Sequence, residues 1–181
     1  CNVTRSDCMF AVGFLARHGS RPSLNHYEAA KNVVAFLYST RHRAVQYVRD
    51  ASTAKGRIPY SFQDLANRLR MFVDADFAGT VASARSTSGR VTFMNQGMVS
   101  AKSQLQKLVA LSTSEAETIA LCESIKDALS LKLLCEELCL RPESELVPIH
   151  EDNVSCREMA MNDKAYDKAR HFKTRVAFNQ H

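Results

Sequence analysis

Asp74-Ala75-Asp76-Phe77-Ala78-Gly79, followed by Arg85-Ser86-Thr87-Ser88-Gly89, places paired carboxylates at the end of the apolar run 69–73. Two further acidic sites extend the pattern. Glu117 stands near the start of a long helical stretch, and Asp152 closes a second apolar run, Leu146-Val147-Pro148-Ile149-His150-Glu151. Three carboxylates far apart in sequence, set on strand ends and a helix, form the kind of oxygen donor set that a hard divalent cation takes.

Working outward, residues 69–73 read as a strand that ends at Asp74. Residues 89–94 and 98–102 read as two more, joined through Asn95-Gln96-Gly97, whose Asn and Gly favour a tight hairpin. A long helical pattern without Gly or Pro runs from Ser112 to about Leu140, with Ser130 as the point where it could break. Its first residues, Ser112-Thr113-Ser114-Glu115, match a capping box, which gives Glu115 a structural task at the N3 position. Glu117 has no such task. It shares a helix face with Ala120, Leu121 and Ile125, so it points toward the sheet, where an unpaired carboxylate is costly.

Residues 146–151 read as a fourth strand, followed by a helix over 153–161 and another over 167–181. Before the sheet, a short apolar helix carries Met9, Phe10, Val12, Phe14 and Leu15 and ends at Gly19-Ser20-Arg21-Pro22. A second begins after Ser23, with Ala30, Val33, Val34 and Leu37 on one face. Residues 39–68 read as a basic, irregular connection with room for a short strand at 44–48. The whole predicts an α/β mixed sheet with a three-strand antiparallel meander flanked by helices, behind a small N-terminal helical appendage.

A chain of 181 residues with 45% hydrophobic content can bury a sizeable core. The net charge of +5 is uneven: residues 1–70 hold eleven Lys/Arg against four Asp/Glu, and residues 71–181 thirteen against fifteen. A basic arm beside an acidic centre suits a polyanion; an unevenly charged solvated surface is the plainer reading. The six cysteines show no paired metal-ligand spacing, and Cys135 and Cys139 read as small apolar packing groups, so free thiols in an intracellular reducing compartment are expected. No apolar run reaches the roughly 20 residues of a membrane span, and no secretory signal opens the chain. It starts with Cys, as a piece of a longer protein or a processed product would.

The run from Asp74 to Gly89, the stretch Val109-Ala110-Leu111-Ser112-Thr113-Ser114-Glu115-Ala116-Glu117, and Glu151-Asp152-Asn153 together resemble the ribonuclease H domain of copia-type LTR retrotransposons. The opening, through Thr4-Arg5-Ser6-Asp7 and Glu28-Ala29-Ala30-Lys31, is similar to the connection that follows the reverse-transcriptase palm in those polyproteins. The resemblance covers nearly the whole chain. It implies a ribonuclease H-like domain over 69–181 after a connection segment over 1–68. It also implies that Asp74, Glu117 and Asp152 hold two Mg²⁺ or Mn²⁺ ions about 4 Å apart, with Asp74 bridging them. One ion would activate water and the other stabilise the leaving oxygen, cutting the RNA strand of an RNA–DNA hybrid read by its shape and 2′-hydroxyls.

Three alternatives stay open at the site: Asp76 as the first-strand ligand, Asp152 as the cap of the helix after it, and Asp167 as a fourth ligand. The family's fourth carboxylate comes in a Lys-His-Ile-Asp-like run, where this chain reads Arg170-His171-Phe172-Lys173. A protonated lysine cannot ligate Mg²⁺ and would repel it, so impaired catalysis is expected. Ala101 and Thr118 stand where the family has Trp and Tyr, and the chain has no Trp at all.

Two functions follow. One is a ribonuclease H within a reverse-transcriptase polyprotein. The other is a non-enzymatic, metal-free descendant serving as a structural or RNA-binding subunit of an assembly such as a ribonucleoprotein. An integrase- or resolvase-like nuclease uses similar carboxylates but not these motifs. For contact with a hybrid or structured RNA, the candidates are Arg85, Arg90, Lys102, Ser103, Gln104 and Lys107, with Arg170, Lys173 and Arg175 in the tail. An ordinary charged face is the competing reading for them.

Overall fold

The computed structural model describes residues 4–45, 47, 68–80, 83–94, 97–140 and 146–161. A 3-10 turn, Ser6–Cys8, leads into helix α1 (Met9–Arg17), and helix α2 (Leu24–Ser39) follows. Ser23 caps α2 by accepting the His26 N–H, the start expected after the Gly19–Pro22 breaker. Arg5 ties this segment together, donating to Asp7 at 2.9 Å and to the Thr40 hydroxyl at 2.6 Å. Although α2 has the apolar positions of an amphipathic helix, it buries no residue.

Three long strands form the meander: β1 (Leu69–Thr80), β2 (Arg85–Met94) and β3 (Gly97–Leu105). With β4 (Ile149–His150) the sheet order is β3-β2-β1-β4, the first three antiparallel and β4 parallel to β1. Among the described residues the molecule is therefore α/β, with a mixed four-stranded sheet and four helices.

Alternate residues of β1 explain where the core lies. Met71, Val73 and Ala75 are buried and meet Ala116, Ala120 and Ala128 of helix α3 (Thr113–Glu137), with Ala110 just before it. Alanines along that face of the helix bring its backbone close to the sheet, which decides the position of everything else on its first two turns. On the other face of β1, Phe72 stacks on His150 at 4.6 Å between ring centres and meets Phe93 edge-on.

Several boundaries differ from the sequence reading. β1 does not stop at Asp74 but pairs on through Ala75↔Ser88 and Asp76↔Thr87 before an irregularity leading to Thr80↔Arg85. Ala78 takes a left-handed backbone (φ 51) there, and its N–H donates to the Ser86 hydroxyl at 3.1 Å. The stretch beyond the expected strand end is thus a distorted continuation of β1. β2 and β3 are likewise longer than expected, while β4 shrinks to two residues. Pro148 explains that: it has no N–H for a ladder, though its carbonyl accepts from Met71 N–H at 3.0 Å.

Helix α3 passes Ser130 without a break; that hydroxyl finds its partner within the helix, donating to the Lys126 carbonyl at 2.9 Å. It ends at Cys139 in the left-handed region (φ 54), with Leu140 N–H bonded to the Cys135 carbonyl and Cys139 N–H to Glu136. Cys139 is consequently exposed rather than packed as expected; Cys8, Cys122, Cys135 and Cys156 are buried free thiols. Helix α4 (Val154–Met161) begins one residue later than expected. Ala44, Val45 and Tyr47 lie in no strand. The Asn95-Gln96 hairpin turn, the helix expected over 167–181, and Asp167, Arg170, His171, Lys173 and Arg175 fall outside the described residues.

Candidate metal centre

The pairing of β1 with β4 runs Met71↔Ile149 and Phe72↔His150. Continuing it by two residues sets Asp152 alongside Asp74 on the exposed side of the sheet's end. Helix α3, held close by its alanines, brings Glu117 from the covered side. One carboxylate oxygen from each of Asp74, Glu117 and Asp152 lies within 4.8 Å of the others, Asp74 and Asp152 exposed and Glu117 buried.

Glu117 is only 4% exposed, and its Oε2 is buried without a hydrogen-bond partner. Burial pushes its carboxyl up to about 8, reinforced by the charges of Glu151, Asp74 and Asp152; a hydrogen bond from Ala75 N–H pulls the other way. The charges acting most strongly on this group are thus all acidic. A buried carboxylate with an open oxygen, aimed at two more carboxylates, is satisfied by a proton or by a cation. The donor set is all hard oxygen, which fits Mg²⁺ or Mn²⁺ and not a thiolate-loving metal.

The competing tasks for these acids go to their neighbours. Ser112 caps α3 by accepting Glu115 N–H at 3.1 Å, while Glu115 reaches back to Leu111 N–H at 2.8 Å, one residue before the expected cap position. Asn153, not Asp152, caps α4, its side chain accepting Cys156 N–H at 2.9 Å. Asp152 is thereby left to the centre. Asp76 is exposed, and its carboxylate fills the space beside Gly79, where an added Cβ would sit 1.9 Å from Oδ2. That is a turn-side task, away from the three-residue cluster.

Two acids carry more than the sequence signalled. Glu151 is 7% exposed beside the centre, and burial raises its carboxyl above the usual range, with Asn153 N–H opposing and Asp152 and Asp74 adding. Asp127 of α3 holds both Arg90 and Lys102, the latter at 2.8 Å. Burial works to raise Asp127, but hydrogen bonds from Lys102 and Arg90 outweigh it and hold the carboxyl below its usual range. A sequence signal did exist for Asp127. Arg90 and Lys102 face each other across β2 and β3, and two like charges in register call for an acid. Cys156, buried against Thr118 near Glu151 and Glu117, is pushed up to about 12 by burial and stays a thiol.

The basic candidates divide accordingly. Arg90 is buried and engaged with Asp127, and Lys102 shares that partner. A groove of about 550 Å³ joins Asp74 to Gly89, Lys102 and Ser103, with Asp7 and Phe10 of the opening segment on its wall. A second cavity, about 390 Å³, is lined by Arg90, Gln104, Gln106, Lys107 and Lys126 between the ends of β2 and β3 and α3. Arg85 is exposed at the start of β2.

No family model matches the chain. It is 41% identical over 129 residues to secreted RxLR effector protein 161 of Plasmopara viticola, covering 71% of this chain and 81% of that protein. It is 31% identical over 172 residues, 95% of its length, to the retrovirus-related Pol polyprotein from transposon TNT 1-94 of Nicotiana tabacum. The chain belongs to the family of that effector protein, and over most of its length it is homologous to a segment of retrotransposon Pol polyproteins. The Pol polyprotein from transposon RE2 of Arabidopsis thaliana adds 25% identity over 168 residues. The chain spans 12% of the first polyprotein's length and 10% of the second's, so it corresponds to one segment of each. No helix among the described residues is long and apolar enough to cross a membrane.

Proposed function

We propose that this Pol segment is a ribonuclease H-like domain that hydrolyses the RNA strand of RNA–DNA hybrids with Mg²⁺ or Mn²⁺. The observation that carries the reading is the convergence of Asp74, Glu117 and Asp152, three acids on separate elements, within 4.8 Å. The mixed sheet order and the helix that delivers Glu117 are compatible with that fold. Bound between these carboxylates, divalent cations would supply activation of water and neutralisation of phosphate charge. Asp74 and Asp152 present exposed oxygens to solvent and substrate. Glu117 stays buried, held by Ala75 N–H and the alanine seam, so its position changes little when charge enters. Lys102 and Ser103 line the same groove as Asp74, which supports contact with a nucleic-acid backbone in this reading.

The test is cleavage of a labelled RNA–DNA hybrid in Mg²⁺ and in Mn²⁺ by the parent, Asp74→Asn and Lys173→Asp. Weak, cation-dependent cleavage by the parent, none by Asp74→Asn, and a gain for Lys173→Asp are expected. Equal silence from all three favours a second reading, a non-enzymatic descendant that binds RNA or scaffolds an assembly. One observation supports that alternative independently: the chain aligns with 81% of a protein whose name is that of a secreted effector and not of a polyprotein.

A further inference from the structure

Glu151 is a buried carboxylate that the reading above leaves unused. The β1–β4 register that sets Asp152 beside Asp74 sets Glu151 beside Val73, whose side chain faces α3. Glu151 therefore turns to the covered side, toward Glu117, and is 7% exposed. Its Oε1 accepts the Asn153 N–H at 3.0 Å, while Oε2 is buried with no partner. Glu117 Oε2 is buried and unpartnered in the same way. Two such oxygens in one acid cluster are unusual, because buried acceptors are nearly always hydrogen-bonded. The position expected to supply a fourth carboxylate, meanwhile, is Lys173.

We propose that Glu151 is the fourth carboxylate of this centre, presenting Oε2 to a divalent cation from the buried side, next to Glu117. The inference rests on the cation-site reading of Asp74, Glu117 and Asp152. Glu151 is not part of the group within 4.8 Å, so it would meet a cation on the Glu117 side of the cluster and not at the position those three oxygens share. A chain that carries its extra acid on the strand end holds cations without drawing a ligand from the tail. The Asn153 hydrogen bond fixes the carboxylate's orientation while leaving the second oxygen open, which is the arrangement a pre-set ligand needs.

The experiment is Mn²⁺ binding by the whole chain, followed by calorimetry and by the electron paramagnetic resonance signal of free Mn²⁺. Parent, Asp74→Asn, Glu151→Gln and Glu151→Asp are compared in about 0.15 M and about 0.5 M salt, conditions that separate ligation from distant charge. Gln keeps an acceptor for Asn153 N–H, so the turn is retained. Glu151→Gln is expected to weaken Mn²⁺ binding about tenfold or more at both salt concentrations, with Glu151→Asp in between. A Glu151→Gln affinity within about threefold of the parent, or a deficit that vanishes at high salt, overturns the proposal. Should Glu151→Gln fail to fold, parent-like binding by Glu151→Asp would overturn it equally. Loss of binding in Asp74→Asn alone leaves the cation site standing without Glu151. Binding that Asp74→Asn does not change, or none by the parent, removes both.

Discussion

Replacing Glu117 by Gln should stabilise the metal-free protein at high pH, because the native carboxyl is forced to ionise in a buried acid cluster. Its folded value is raised from 4.5 to about 8. The folded state therefore holds this proton more tightly than the unfolded chain does. The stabilisation is fully present below 4.5 and is lost as pH rises through about 8. That interval corresponds to up to about 5 kcal/mol at 1.36 kcal/mol per pH unit. Glutamine imitates the protonated acid and cannot ionise. In EDTA, Glu117→Gln should match the parent near pH 5 and exceed it by several kcal/mol at pH 8.5. In melting temperature this is about 10–20 °C for a chain of this size. A cation can take the place of the proton, so Mn²⁺ should restore the parent at pH 8.5 and stabilise Glu117→Gln less. Urea unfolding followed by circular dichroism across pH 5–8.5, with EDTA and with Mn²⁺, measures all of this. A difference that stays flat with pH, or a variant less stable than the parent at pH 8.5 in EDTA, refutes the reasoning.

Two substitutions away from the acids probe what places them. Asp127→Ala leaves Arg90 buried without its counter-charge, and urea unfolding should show a loss of about 3–5 kcal/mol. Ala120→Leu forces a larger side chain into the α3–β1 seam; unfolding should show a loss of about 1–3 kcal/mol and a Mn²⁺ titration a weaker site, because Glu117 moves with the helix.

Glu117 was legible because Ala120, Leu121 and Ile125 mark a buried helix face, and an acid on that face asks for a partner. Asp152 was legible as the end of an apolar run, but its role depended on whether it or Asn153 capped α4. Only the Asn153 to Cys156 hydrogen bond separates those two. The continuation of β1 past Asp74 was hidden because the apolar run stops at Val73, and Ala78 adopts a left-handed backbone that its side chain disfavours. Pro148 shortened β4, a signal visible in the sequence yet given too little weight against the apolar residues around it. The meander itself followed from alternation and spacing. Glu151 and Asp127 escaped because both act across elements: one faces α3 through a two-residue parallel pairing, the other reaches from α3 to cations on β2 and β3.

Crystals grown or soaked in Mn²⁺, with anomalous scattering used to locate the ion, test the shared-cation claim most directly. The account predicts an anomalous peak coordinated by Asp74 and by at least one of Glu117 and Asp152, at the roughly 2.0–2.2 Å of a hard cation on carboxylate oxygen. A well-diffracting crystal with no peak among these three side chains, or with Mn²⁺ bound only elsewhere, would contradict it.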